Sequence, residues 1–136
     1  QAQEKGISIV LNGTEDLWLK GNAELLERAV INLLTNAVQY SPPDSAVSVH
    51  VYQAAHLACL AISDEGYGID PEELPLLFDR YHRQKRSEIA GAHGTGLGLS
   101  FVKTVVEKHR GEISVDSRPG EGTTFTLKLP IADPMF

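Results

Sequence analysis

The chain has 136 residues, 42% of them hydrophobic, which suits one domain with its own core. A net charge of −6 with no lysine or arginine run argues against non-specific nucleic-acid binding, and the one cysteine, Cys59, excludes an internal disulfide and fits a reducing compartment. No apolar stretch approaches the ~20 residues that span a bilayer, no signal peptide is present, and a start at Gln1 is read as a piece of a longer chain.

Ile7 to Leu11 is apolar and β-branched and predicts a strand. Asn12-Gly13 predicts a turn, and Leu17 to Leu19 a short return strand. Asn22 is placed to cap a helix that carries Glu24 in its first turn and runs to about Tyr40, where Ser41-Pro42-Pro43 stops it. Val47, Val49 and Val51 alternate with polar residues, as in a half-buried strand, and Leu57 to Ile62 is a more continuous apolar run ending at Asp64. Pro71 to Leu77 predicts a short helix with proline in its first turn. Gln84 to Gly96 has almost no apolar periodicity and reads as a long functional loop. Leu97 to His109 is helical, with Val102, Val105 and Val106 on one side and Gly111 as terminator. Ile113 to Val115 and Thr123 to Leu129 read as a closing hairpin through Pro119-Gly120-Glu121-Gly122. With no repeat and no internal boundary, the pattern predicts a single domain over 1–136. Its architecture is an α+β two-layer sandwich, a mixed sheet of about five strands covered on one face by about three helices.

Four patterns carry chemistry. Asn32 and Asn36 lie about 40° apart on the long helix, at the edge of an apolar stripe. They are either hydrogen-bonded core amides or oxygen ligands for a hard cation such as Mg²⁺ beside phosphates. Asp64-Glu65-Gly66-Tyr67-Gly68-Ile69 follows the central strand. It is either an ordinary glycine turn or an acceptor for a ligand amino group, with glycines that let backbone approach a flat ring. Gly94-Thr95-Gly96-Leu97-Gly98-Leu99 opens a helix and is either a hinge or an anion cradle of backbone N–H groups. It matches neither the dinucleotide fingerprint nor a P-loop. Gly120-Glu121-Gly122-Thr123-Thr124-Phe125, taken alone, is a hairpin turn.

The order and spacing of these pieces are far more specific than any one of them. Asn-Leu-Leu-Thr-Asn-Ala-Val-Gln-Tyr-Ser, Asp-Glu-Gly-Tyr-Gly-Ile, Leu-Phe-Asp-Arg-Tyr-His-Arg, Gly-Thr-Gly-Leu-Gly-Leu and Gly-Glu-Gly-Thr-Thr-Phe follow one another between Asn32 and Phe125. The series resembles the N box, first glycine box, F box, and second and third glycine boxes of sensor histidine kinases. The resemblance implies the Bergerat ATP-binding fold shared by gyrase, Hsp90, MutL and histidine kinases. It implies that Asp64 reads the adenine amino group with support from Thr123. Gly66 and Gly68 would shape the pocket, Tyr40 would lie against the base, and Ile69, Leu97 and Phe125 would line it. It further implies Mg²⁺ on Asn32 with Asn36 on the metal or the phosphates. The triphosphate would be cradled by Gly94, Thr95, Gly96, Leu97, Gly98 and Leu99. Gln84 to Gly94 would form a lid anchored by Phe78, with Arg83 on the terminal phosphates. Gln39 departs from the pattern, since many relatives carry Lys or Arg there.

The same resemblance separates branches of the superfamily. Its ATPases typically place glutamate, a general base, where Asn32 stands; an amide cannot take up a proton, which favours phosphotransfer over hydrolysis. None of the five histidines, His50, His56, His82, His93 and His109, has the context of the family's acceptor box. The implied partners are therefore a separate dimerisation domain carrying the acceptor histidine and a response-regulator receiver. The implied parent is a homodimer anchored in the inner membrane, with this domain in the cytoplasm. The rival readings are a Bergerat-type ATPase or serine kinase and a non-catalytic nucleotide-sensing module, the latter hinted at by Gln39 alone.

Overall fold

The computed structural model describes residues 21–79 and 98–131, together with the backbone of 8–12. Five strands form one mixed sheet: β1 (Ser8–Asn12), β2 (Ala46–Ala54), β3 (Leu57–Asp64), β4 (Glu112–Ser117) and β5 (Thr123–Pro130). Their spatial order is β1-β2-β3-β5-β4, with β1 parallel to β2 and every other pair antiparallel. Two α-helices, α1 (Ala23–Gln39) and α2 (Gly98–Lys108), pack on each other and on one face of this sheet. The chain is an α+β two-layer sandwich, as its sequence predicts. The expected return strand at Leu17–Leu19 lies outside the described residues.

The helices begin and end for local reasons. Asn22 caps α1, its Oδ1 accepting from the Leu25 amide at 3.0 Å. The same residue's backbone N–H donates to His109 Nε2 at 2.9 Å, while the His109 Nδ1–H donates to the Val105 carbonyl at 2.7 Å, so one imidazole ties the start of α1 to the end of α2. Gly21 is required beside it, because a Cβ there would collide with the His109 ring. At the end of α2, which Gly111 was expected to terminate, the left-handed residue is Arg110, with φ 60°. Gly111 instead closes the turn, its N–H donating to Val106 O at 2.9 Å, where a side chain would strike the Lys128 carbonyl.

The third predicted helix is a 3-10 turn, Leu74–Leu76, among the described residues. Pro75 lacks the N–H that would bond to residue 71, so Glu73, Leu76, Leu77 and Asp79 donate three residues back instead. The expected helix over Pro71–Leu77 is corrected to this shorter element.

The core lies between the layers, and the sheet register lays it out in rows. Val51, Leu60, Leu127 and Ile113 form one row across β2, β3, β5 and β4; Val49, Ile62, Phe125 and Val115 form the next. Ala29, Leu33 and Ala37 of α1 and Val102, Val105 and Val106 of α2 close over them, all buried. Each buried leucine or valine among them contributes about 1.5–3 kcal/mol by leaving water. On the opposite face of the sheet the rows are polar or small, for example Ser48, Ser63, Thr124 and Asp116.

Candidate functional site

The row that follows Ile62, Phe125 and Val115 on the covered face is Asp64, Thr123 and Ser117. Side chains two residues apart along a strand share a face, so the apolar core runs directly into three polar groups. Asp64 is 7% exposed and Thr123 2%. Buried polar groups need partners, and these have them. Asp64 Oδ1 accepts from the Gly66 amide at 2.8 Å. Ser117 Oγ accepts from the Ile69 amide at 2.8 Å, donates to the Gly122 carbonyl at 2.9 Å and lies 2.8 Å from Thr123 Oγ1. No buried side-chain nitrogen or oxygen among the described residues is without a hydrogen bond.

Two loops meet around this row. The loop after β3 needs its glycines for close approach. A Cβ on Gly66 would overlap the Tyr40 carbonyl oxygen, and one on Gly68, at φ 73°, would overlap the Arg118 carbonyl. The turn before β5 reaches back through a bond from the Gly120 amide to the Tyr67 carbonyl at 2.8 Å. The structure therefore brings together Tyr40, Asp64, Gly66, Gly68, Ile69 and Thr123 around one end of the sheet. Tyr40 caps the C-terminus of α1 and is 6% exposed, and Ile69 is 2% exposed. Phe125 is core, 2% exposed, with the Phe78 ring edge-on to it at 6.2 Å between centroids. Phe78 thus holds the last described residues before position 80 against the sheet.

Asn32 and Asn36 are half-buried on the flank of α1, each about 60° around the helix from a buried position, Ala29 and Leu33 respectively. Gln39, half-buried, ends the helix. No cluster of three or more His, Cys, Asp or Glu that could hold a metal exists among the described residues. Gly98 opens α2, exposed and with free space around it, and Leu99 is buried in the core. Arg83, Gly94, Thr95, Gly96, Leu97 and the expected lid lie outside the described residues.

Ser117 is the group that motif reading misses. Its only trace in the sequence is a serine just before the Pro119-Gly120-Glu121-Gly122 turn; its partners come from residues 5, 6 and 48 positions away and converge only in the folded sheet.

Residues 21–133 match the family model described as histidine kinase-, DNA gyrase B-, and HSP90-like ATPase. Over 129 residues the chain is 36% identical to the sensor protein IrlS of Burkholderia pseudomallei, covering 95% of this chain and 27% of that protein. It is 37% identical over 129 residues to the sensor histidine kinase CusS of Escherichia coli O157:H7, covering 95% of this chain and 26% of that one. The chain thus spans about a quarter of the length of these relatives. Among solved structures, the mycobacterial sensor histidine kinase MprB superposes with a TM-score of 0.82 at 36% identity, over 96% of this chain and 86% of that one.

Proposed function

Since this chain belongs to the histidine kinase, DNA gyrase B and HSP90-like ATPase family, as the ATP-binding catalytic domain of a sensor histidine kinase, we propose that it binds ATP at the Asp64 row and passes the γ-phosphoryl group to a histidine on a separate dimerisation domain. The observation that carries this reading is the carboxylate of Asp64. It is buried at the end of the core and fixed by the Gly66 amide through one oxygen. A buried acceptor beside glycine-shaped loops suits the exocyclic amino group of a purine.

In this reading Asp64 and Thr123 orient the base, and Gly66 and Gly68 let the Tyr40 and Arg118 backbones close the pocket around it. Gly98 and Leu99, with Gly94, Thr95, Gly96 and Leu97, offer backbone N–H groups to the phosphates, and Arg83 neutralises terminal oxygens. Asn32 and Asn36 fit a hard cation as two neutral oxygen ligands, the rest of its shell coming from phosphate and water. Bound there, Mg²⁺ would neutralise phosphate charge. Asn32 holds no proton-accepting group, so this helix does not activate water against the γ-phosphate. The P–O bond to the β-phosphate breaks, a P–N bond forms on the acceptor histidine, and ADP leaves.

The partners in this reading are the parent's own dimerisation domain and a response-regulator receiver, in a homodimeric parent. No helix among the described residues is long and apolar enough to cross a membrane; we place the domain in the cytoplasm and the parent's anchor in the inner membrane. The test supplies dimerisation helices in trans with γ-labelled ATP. Acid-labile, base-stable label on the helices is expected. Steady phosphate release without label would point to an ATPase, and bound ATP with neither outcome to a sensing module.

A further inference from the structure

Arg28 of α1 is exposed and holds its guanidinium carbon 4.8 Å from the centre of the Phe101 ring of α2. It is the one basic residue of α1, which ends at Gln39 with none in its last turn. Its place converges on the phosphate side of the candidate site from two directions. Along α1, Arg28 stands one turn before Asn32, which stands one turn before Asn36, so the three follow one another at ~6 Å intervals on one flank. Across the helix pair, Phe101 lies only ~4.5 Å along α2 from its first residue, Gly98. Stacking on a ring occupies the face of a guanidinium and leaves its N–H groups pointing outward in the plane. No ion pair or side-chain hydrogen bond takes them up among the described residues. A brace between two helices would not call for a charge at this position.

We propose that Arg28 is a further binding residue for the terminal phosphate, stacked on Phe101 so that its N–H edge faces the γ-phosphate oxygens. This inference rests on the ATP reading above and deepens it. In that reading the base lies at the Tyr40 end of α1 and the phosphates run past Asn36 and then Asn32. Arg28 lies about 18 Å along the helix from Tyr40, 12 residues at ~1.5 Å each, beyond both amides. Of the three phosphates, the terminal one is therefore nearest to it. The planar fork of donors matches two phosphate oxygens at once. Neutral Asn32 and Asn36 cannot offset the charge of that group, whereas a guanidinium held in place can.

The experiment is calorimetric titration of ATP and of ADP, both with Mg²⁺, into the wild type, Arg28→Gln and Arg28→Met. ADP carries the same base and lacks only the phosphate in question. Glutamine and methionine are both good helix formers, and methionine keeps an apolar stem against Phe101. In both variants ATP affinity is expected to fall about tenfold and ADP affinity by less than about twofold. Equal losses of the two nucleotides in either variant, the outcome of a mere brace, overturn the proposal, as do affinities equal to those of the wild type. Should Arg28→Gln not fold, Arg28→Met decides by the same comparison. Asp64→Asn separates the two levels. Weaker binding of both nucleotides in Asp64→Asn beside an unchanged ATP-to-ADP ratio in Arg28→Gln sinks the Arg28 role alone. ATP binding unaffected by Asp64→Asn sinks the site reading and this role with it.

Discussion

Gly66→Ala tests the construction of the site with a single methyl group. The added Cβ would lie 2.8 Å from the Tyr40 carbonyl carbon and 2.9 Å from Asp64 Oδ1, and closer still to the Tyr40 carbonyl oxygen. Non-bonded carbons rest at about 3.5–4.0 Å, so the loop and the end of α1 must part by about 1 Å. Tyr40 opposes the methyl with backbone atoms, which cannot move aside by rotating a side chain. Overpacking of this kind costs about 1–3 kcal/mol, or roughly 3–10 °C in melting temperature for a domain of this size. The same displacement misaligns the 2.8 Å bond from the Gly66 amide to Asp64. A hydrogen bond to a charged group contributes about 1.5–3 kcal/mol, so ATP affinity should fall by about ten- to a hundredfold. Gly98→Ala is the matched control for stability alone, with nothing within 4 Å of its added methyl. It should melt no lower than wild type, because alanine is the better helix former. Differential scanning calorimetry and ATP titration measure both. A Gly66→Ala protein that melts within a degree of wild type and binds ATP equally well refutes the packing of this loop on Tyr40.

Asp64→Asn keeps an oxygen for the Gly66 amide but replaces the other with a donor, so it should melt near wild type while ATP affinity falls at least about a hundredfold in calorimetry. Asn32→Ala should cost more affinity with Mg²⁺ present than with the ion chelated; equal losses would remove the metal role. His109→Ala cuts the tie from Asn22 to the end of α2 and should lower stability by about 1 kcal/mol in urea melts. The Tyr52 hydroxyl is pushed above its ordinary value, first by burial and then by the charge and hydrogen bond of Cys59. The fold therefore favours the protonated phenol. That contribution is fully present below the phenol's unfolded pKa and is lost as pH rises through the folded one. In an ultraviolet titration Cys59→Ala should lower the Tyr52 midpoint only in part, because burial, the larger cause, remains.

The elements were legible where one local pattern decides them. Alternation at Val47, Val49 and Val51 gives β2, and the Asn22 cap with Ser41-Pro42-Pro43 bounds α1. The reading fails where a backbone detail overrides pattern. Pro75 turns an expected helix into a 3-10 turn. At the candidate site, Asp64, Gly66, Gly68 and Thr123 could be picked out because each lies in or beside a glycine-marked loop. Ser117 could not, because its importance lies in partners that only strand pairing brings near.

That pairing also explains why the site is where it is. Asp64, Thr123 and Ser117 occupy one cross-strand row, two residues beyond the apolar row of Ile62, Phe125 and Val115. A slip of one residue between β3 and β5 would turn Asp64 or Thr123 to the uncovered face and at the same time expose Ile62 or Phe125. The apolar rows therefore enforce the register that aligns the polar one. The energy that keeps Asp64 and Thr123 side by side comes from Ile62 and Phe125, both buried to within 2% of complete, rather than from the polar groups themselves. The row proposed here to recognise the base is in that sense the last row of the hydrophobic core.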